Sequence, residues 1–363
     1  MTININKIFN IAVLKKYPTS IVHFLTNRCN ARCSFCFIDF DNPNTFKGEL
    51  NLKEIDSLTK SLGKGLVNVN FTGGEPFARK DIIDIAKKYI INSEIESIYI
   101  TTNGSLPDRV KNFLDEITNL KKSIELNFQI SIDALPEQHN KIRKIKNLFE
   151  NCEKTYHLIN NYGLKNVNAA VAITVTAENC DDIEKIYNFL VYEKKLKKIK
   201  CILVRDEGIY KTADELKNKI FRAYDWLTNK IISDQKKNQI KNYNMNSMQG
   251  KIHNKKDEIN YDLVKKIYTN NNYISPCHAS SLFGIIMSNG DVYPCEILED
   301  KKIGNLRDVD MNFMKLWDSD KNQSIKKFIL GQKCKCTYEC GLSFNVAGNY
   351  RYYPSLIKSI FDY

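Results

Sequence analysis

The sequence predicts an α/β chain: a partial, TIM-like (β/α)6 barrel left open at three-quarters of a circle, followed by a small α+β module rich in cysteine. Three observations lead there. Between residues 20 and 205, short β-rich runs alternate with amphipathic helical stretches six times, the pattern of a parallel sheet with helical crossovers. Six such units are too few to close an eight-fold barrel. Five of the 11 cysteines fall in the last quarter of the 363-residue chain, beyond the last βα unit.

The strand candidates, in order, are SIVHFLT (20–26), LVNVNFT (66–72), SIYITTN (97–103), LNFQISID (126–133), VNAAVAITVT (167–176) and IKCILVR (199–205). Each is rich in β-branched and aromatic residues. Helical periodicity marks 52–62, 78–90, 106–117 and 177–195 between them. An N-terminal extension over 1–19 precedes the barrel of 20–205. Residues 206–273, polar and rich in Lys and Asn, read as a helical bridge or insertion with a loop-like centre at 242–258. The cysteine-bearing module spans 274–345, with a tail at 346–363. The tail's apolar residues stand at helical spacing, for packing on the barrel or, alternatively, for lipid contact.

With 43% hydrophobic residues the chain can bury a sizeable core, and no run approaches the roughly 20 apolar residues of a membrane span. No signal-peptide cleavage site follows the first apolar stretch, so the expected location is cytoplasmic. Lys and Arg (54) exceed Asp and Glu (42), a net charge of +12 that solvated helix faces or an anionic partner would each account for. The densest basic run, KKLKKIK (194–200), has no interleaved aromatics, which argues against nucleic acid. In a reducing compartment, clustered cysteines point to metal rather than disulfides.

The first strand leads into TNRCNARCSFCF, with Cys29, Cys33 and Cys36 spaced C-x3-C-x2-C. Three thiolates on one tight loop can hold three irons of a [4Fe–4S] cubane and leave the fourth open to a chelating small molecule. Zinc, the alternative, wants a fourth Cys or His that the loop lacks. The second strand ends in Gly73-Gly74-Glu75-Pro76. The glycines would let a ligand approach the backbone, and the carboxylate can accept hydrogen bonds from an ammonium group.

These two motifs, one βα unit apart, resemble the radical S-adenosylmethionine (SAM) superfamily. The resemblance implies that Cys29, Cys33 and Cys36 bind a [4Fe–4S] cluster chelated by SAM. It implies too that Gly73, Gly74, Glu75 and Pro76 hold the methionyl amine. On the same footing it assigns SAM contacts to Ser131, Asp133 and Arg143 in QISIDALPEQHNKIR, to Thr102 and Asn103 in ITTNGS, to Phe35 before the third cysteine, and to Val204 late on the sixth strand. A surface ion pair and helix cap is the alternative for Asp133 and Arg143. The implied chemistry is reductive cleavage of SAM to a 5′-deoxyadenosyl radical that abstracts hydrogen from a C–H bond, fed by a low-potential donor such as a flavodoxin or ferredoxin.

The C-terminal cysteines run Cys277-x12-Gly290-x4-Cys295, then Cys334-x-Cys336-x3-Cys340, with a β-hairpin expected around Asn289-Gly290. This is similar to the SPASM and shorter twitch modules of that superfamily. Five cysteines suffice for one auxiliary [4Fe–4S] cluster, not two, with Cys277, Cys295 and Cys340 as expected ligands and Cys336, or alternatively Cys334, as the fourth. A zinc ribbon is the competing reading of the module. Cys152, Cys180 and Cys201 read as core residues. Cys201, if it faces the barrel interior, is a candidate hydrogen donor to a substrate radical, and His278 is the one histidine beside a cluster cysteine.

For the reaction, the basic charge favours oxidation or epimerisation of a small, anionic, sugar-like molecule with help from the auxiliary cluster. The alternative is a peptide maturase forming a crosslink or epimer. About 20 residues before the first strand leave little for a leader-peptide-binding domain. A non-catalytic iron–sulfur carrier or scaffold is the reading from another class.

Overall fold

The computed structural model describes residues 5–206 and 209–361. The rest of the extension (1–4), of the bridge (207–208) and of the tail (362–363) lies outside the described residues. A short helix α1 (Ile5–Phe9) leads to the barrel. The six β-rich runs form β1 (Ser20–Thr26), β2 (Asn68–Gly73), β3 (Ser97–Thr102), β4 (Glu125–Ser131), β5 (Val167–Val175) and β6 (Ile199–Leu203). Between them lie α2 (Leu52–Lys60), α3 (Ile82–Asn92), α4 (Pro107–Leu120), α5 (Pro136–Arg143), α6 (Leu148–Asn160) and α7 (Ile183–Asn188). Starts are set locally: Asn51 and Glu54 form a capping box on α2, and proline opens α4 and α5.

All neighbouring strands from β6 to β1 are parallel, in the order β6-β5-β4-β3-β2-β1. The register explains the core. Ile21 pairs with Val69, Val69 with Ile98, Ile98 with Leu126 and Leu126 with Val167, so one layer of buried aliphatic side chains runs under the helices. The alternate residues face the concave side, where Tyr99 and Thr101 remain exposed in mid-strand. Phe77, Phe113 and Phe128 pack edge-on and stacked with centroids 5.6–6.3 Å apart, fixing the turn after β2 against α4 and β4.

The sheet stays open because β6 does not pair onward. Its free edge is covered by helices: the Leu203 amide donates to Glu339 Oε1 (2.8 Å) and the Cys201 amide to Tyr261 OH (3.5 Å). Tyr261 lies on α9 (Met248–Asn270), which with α8 (Asp214–Lys236) makes up most of the polar bridge. Expected to be loop through 258, the chain turns helical at Met248, where the Ser247 hydroxyl accepts from the Gly250 amide (3.0 Å).

The cysteine-bearing module does not stand apart. The expected hairpin is β7 (Phe283–Ile286) and β8 (Asp291–Tyr293), turning at Gly290 with φ of 87°. β7 pairs in parallel with β1, from Ser20↔Phe283 to His23↔Ile286, so the module continues the barrel sheet through β8 to β9 (Gly304–Asn305). Helices α10 (Phe313–Trp317), α11 (Asp320–Gly331), α12 (Glu339–Ala347) and α13 (Tyr353–Lys358) follow. In the tail, Tyr352 and Leu356 pack on the core while Tyr350, Ile357 and Phe361 remain exposed. No helix among the described residues is long and apolar enough to cross a membrane.

Buried bases make this core sensitive to acid, His23 among them. His23 on β1 is hydrogen-bonded through Nδ1 to Tyr89 OH (2.8 Å), and burial, helped by the charge of Arg79, presses its pKa down to about 3. A base with a depressed pKa supports the fold only while neutral: its contribution is complete above the unfolded value of about 6.5 and drains as pH falls towards 3. Of the stability lost in urea unfolding between pH 6.5 and 5, His23→Phe should therefore remove about 2 kcal/mol, leaving the share of the other buried histidines, such as His139, in place. Identical slopes for the two proteins would contradict the assignment.

Candidate active site at the strand ends

The chain leaves β1 in the loop that carries Cys29, Cys33 and Cys36, all half-buried. The Cys36 amide donates to Cys33 O (3.2 Å), closing a turn, and the Arg32 amide donates to Arg143 O (3.1 Å), tying the loop to the end of α5. Cys29 Sγ accepts from the Ala31 amide (3.3 Å) and from Asn103 Nδ2 (3.8 Å). The Asn103 amide group also reaches Asn30 Oδ1 (2.8 Å), and Asn30 in turn donates to Ser105 Oγ (2.9 Å). This brace between the loop and the end of β3 uses Asn30 and Ser105, which no motif singled out.

Gly73 and Gly74 earn their place through the neighbouring strand rather than an open approach. A Cβ at Gly73 (φ 124°) would lie 2.1 Å from Thr26 O, and one at Gly74 would lie 2.2 Å from Arg28 O. The Gly74 amide donates to Thr26 O (2.7 Å) and the Glu75 amide to Arg28 O (2.9 Å). The expected reason, room for a ligand, is thus replaced by a steric one: the turn after β2 must lie flat on the start of the cysteine loop.

Glu75 is fully buried behind that turn. Its Oε1 accepts from Thr102 Oγ1 (2.8 Å) and the Phe77 amide (3.0 Å), and its Oε2 from the Asn103 amide (2.7 Å). Burial raises its pKa, and these donors together with the charge of Arg143 pull it back down. Pro76 begins the short 3-10 turn that aims the carboxylate. Thr102 and Asn103 therefore meet Glu75 as the sequence placed them, at the end of the intervening strand.

Asp133 and Arg143 are no surface pair. Asp133 is 0% and Arg143 7% exposed, with Arg143 Nε and Nη2 donating to Asp133 Oδ2 at 2.8 and 2.7 Å and the Thr174 amide donating to Oδ1 at 3.0 Å. The guanidinium lies 5.7 Å from the Phe35 ring centroid. Ser131 ends β4 half-buried, and the amide of Val204, just past β6, donates to Val175 O (3.0 Å). Cys201 is 3% exposed and alternates with Lys200 towards the hydrophobic core, so the expected barrel-facing thiol is not there.

These residues fit the expected group. Burial raises the pKa of the Cys29 and Cys36 thiols and pushes Cys33 up to about 11, while Arg143 stabilises the thiolate of each. Among the described residues no three His, Cys, Asp or Glu side chains converge on a single ion. A cubane, whose thiolates sit on separate irons, does not ask for that.

In the second group Cys277 and Cys334 are neighbours, the contact raising the pKa of Cys277 and lowering that of Cys334, and Cys334 also neighbours Cys295. Cys277, Cys334 and Cys336 line one small cavity with Leu263, Ile274 and Leu342. Cys340, expected among the firm ligands, is exposed on the first turn of α12, with Glu296, Glu339, Arg205 and Tyr338 as its charged and polar neighbours. His278 is buried, with its backbone amide on Asn345 Oδ1 (2.8 Å).

A further cluster bridges the two cysteine groups. Arg205 is ion-paired to Glu296, which also accepts from Tyr338 OH (2.6 Å). The Arg205 guanidinium lies 5.4 Å from the ring centroid of Phe37 and 5.1 Å from that of Tyr338. Phe37 follows Cys36, and Glu296 follows Cys295. That adjacency was the only signal in the sequence.

Removing the guanidinium at 143 would leave Asp133 as a buried, uncompensated charge. Arg143→Gln should cost about 3–5 kcal/mol in urea unfolding, and Asp133→Asn added to it should restore part of that. An unchanged midpoint for the single variant would refute the pair's role.

The comparisons with known proteins agree with this geometry. The model of the radical SAM superfamily matches residues 24–190, and that of the SPASM iron–sulfur cluster-binding domain matches residues 277–341. Among curated proteins, Fe-coproporphyrin III synthase of Methanosarcina barkeri is 28% identical over 193 residues, 50% of this chain and 45% of that protein. GTP 3′,8-cyclase of Haemophilus influenzae is 28% identical over 156 residues, 40% of this chain and 44% of that one. The chain thus spans less than half the length of these two relatives. Among solved structures, anSMEcpe with bound AdoMet superposes with a TM-score of 0.59 at 20% identity, covering 95% of this chain and 96% of that one. SuiB of Streptococcus suis bound to S-adenosylmethionine gives 0.58 at 18% identity, covering 86% and 68%. The family's cofactors are SAM with a [4Fe–4S] cluster in the first domain and an auxiliary iron–sulfur cluster in the second. With the three-cysteine loop and the buried Glu75 following strands of the same continuous sheet that the cysteine-bearing hairpin extends, this chain belongs to the radical SAM superfamily and carries a SPASM iron–sulfur domain.

Proposed function

We propose that the chain is a radical SAM enzyme that oxidises or epimerises a small anionic, sugar-like molecule. One observation carries the SAM chemistry. Glu75, the Asp133–Arg143 pair and Phe35 surround a three-cysteine loop at the carboxyl ends of β1 to β4, where parallel βα folds place their ligands. When bound, the cluster and SAM supply a 5′-deoxyadenosyl radical that takes a hydrogen atom from a C–H bond.

The chain's own residues bind and orient. Cys29, Cys33 and Cys36 would hold the first cluster. The carboxylate of Glu75, fixed by three donors, would accept from the methionyl ammonium, with Gly73, Gly74 and Pro76 shaping its turn. Arg143, held by Asp133, offers a cation for the SAM carboxylate, and Thr102, Asn103, Ser131 and Val204 line the same rim of strand ends. Tyr99 and Thr101, exposed on the concave face, leave room below that rim for a substrate shielded by sheet and helices. A low-potential flavodoxin or ferredoxin is the donor this chemistry needs.

A peptide substrate is the second reading, favoured because structures with the same fold were solved with peptides: anSMEcpe with the Cp18Cys peptide, and SuiB with the precursor peptide SuiA. Anaerobic reconstitution should give about eight irons per chain, and dithionite with SAM should release 5′-deoxyadenosine. About four irons and no 5′-deoxyadenosine would sink the proposal. Release stimulated by peptides and not by sugar phosphates would replace the small-molecule reading with the peptide one.

For the auxiliary cluster, adjacency in the fold favours Cys277, Cys295, Cys334 and Cys336, with Cys340 as the fifth, non-ligating thiol. Cys334→Ala should lose roughly half the iron, whereas Cys340→Ala should keep all of it. The reverse result would return Cys340 to the ligand set.

A further inference from the structure

The concave face of the sheet is built in layers that the strand register fixes. One layer runs Ile285, Val22, Asn70, Tyr99, Asn127 and Asn168, from β7 to β5. The next, a step closer to the strand ends, pairs Phe24 with Thr72, and Thr101 with Gln129 and Ala170. Alternation sets the facing. Leu126, Phe128 and Ile130 are buried under the helices, so Asn127 and Gln129 of β4 look into the concave space, with the exposed Tyr99 and Thr101 beside them. Ser131, at the rim of the SAM site, stands two residues beyond Gln129 on the same face, about 6.6 Å away.

Two of the four amides in these layers are already taken. Asn70 Nδ2 donates to Ser20 Oγ (3.0 Å), while Asn168 donates to Lys165 O (3.2 Å) and accepts from Lys198 Nζ (2.5 Å). The other two are not. Gln129 Oε1 has only a long contact from Thr101 Oγ1 (3.4 Å), and among the described residues no hydrogen bond reaches its Nε2 or either end of the Asn127 amide. Both side chains are half-buried in the middle of an interior strand, where an unanswered donor and acceptor cost free energy. No strand residue in the two layers is charged, and Lys200, level with Ser131 through Ala172, is ion-paired to Asp257. The flank formed by β1 and β7 is apolar: Val22, Phe24 and Ile285 pack with Met287 and Tyr293, and Phe24 meets the exposed Phe37 edge-on at 6.0 Å. The concave wall is thus neutral and hydrogen-bonding on one flank and apolar on the other.

We infer that Asn127 and Gln129 are specificity-determining residues that hydrogen-bond the hydroxyls of a polyhydroxylated ring in the substrate. Each amide presents a donor and an acceptor side by side, and a hydroxyl is both at once, whereas a carboxylate or phosphate answers only the donors. With strands ~4.8 Å apart and same-face residues ~6.6 Å apart, Asn127, Gln129, Tyr99 and Thr101 span one ring rather than an extended chain. The apolar flank suits the C–H face of such a ring. This deepens the proposed function, on which it rests: the sugar-like molecule meets the sheet through its hydroxyls, and its anionic group points away from these two layers.

The test uses the reconstituted full chain with SAM present. Two ring compounds, myo-inositol and glucose 6-phosphate, and separately triglycine, are titrated by calorimetry into the wild type, Asn127→Leu and Gln129→Met. Iron content, SAM binding and the urea midpoint are measured in parallel. At least one ring compound should bind the wild type saturably, and each substitution should weaken it about tenfold or more. The urea midpoint should hold or rise in both variants, because an unanswered amide gives way to an apolar side chain of similar shape; a residue that merely supported the fold would lower it. No saturable binding of either ring compound, equal binding by wild type and both variants, triglycine bound in their place, or a midpoint that falls in both variants would overturn the inference. Failure of SAM to bind the wild type, with a ring compound still held through Asn127 and Gln129, would instead overturn the proposed function and leave this subsite standing.

Discussion

A carboxylate with no exposure to water organises the reactive end of this molecule. Burying Glu75 is tolerable only because three donors, from Thr102, Asn103 and Phe77, meet it at once. Those donors belong to the end of β3 and the turn after β2, so satisfying the carboxylate fixes where both segments stop. Asn103 then reaches on to Asn30 and Cys29, which carries the order into the cysteine loop. On the other side, Gly73 and Gly74 let the backbone after β2 lie against Thr26 and Arg28. The loop, the turn and the strand end thus form one rigid corner, with a second buried pair, Asp133–Arg143, tied to the loop through Arg32.

Much of this was legible in the sequence because it is local. Strand runs, helix caps and the spacing of Cys29, Cys33 and Cys36 are properties of short windows, and periodicity reads them directly. The four residues from Gly73 to Pro76 were recognisable too, though the physical reason for the glycines was not, since it lies in the backbone of a strand some 45 residues earlier in the chain.

The rest depended on pairings between distant segments. Nothing in the sequence of β7 announces that it will join β1, and nothing in the polar stretch after residue 247 shows that α9 will cover the free edge of β6. For Cys201 the core reading holds and the alternative of a barrel-facing hydrogen donor fails, because alternation reveals two faces but only the packed helices say which one is concave. Arg205 is an ordinary basic residue until the fold sets it between Phe37 and Tyr338.

The parallel pairing of β7 with β1 has a consequence for how the chain can be divided. β1 is an interior strand only while the C-terminal hairpin is present, with β2 on one side and β7 on the other. Cutting the chain between the bridge and the cysteine module would turn it into a bare edge, its amides and carbonyls open to any passing strand. The truncated barrel would be prone to aggregate, and the freed hairpin would lose its template. The two cysteine-bearing regions therefore share one sheet, and a cut between them breaks a strand pairing that both depend on.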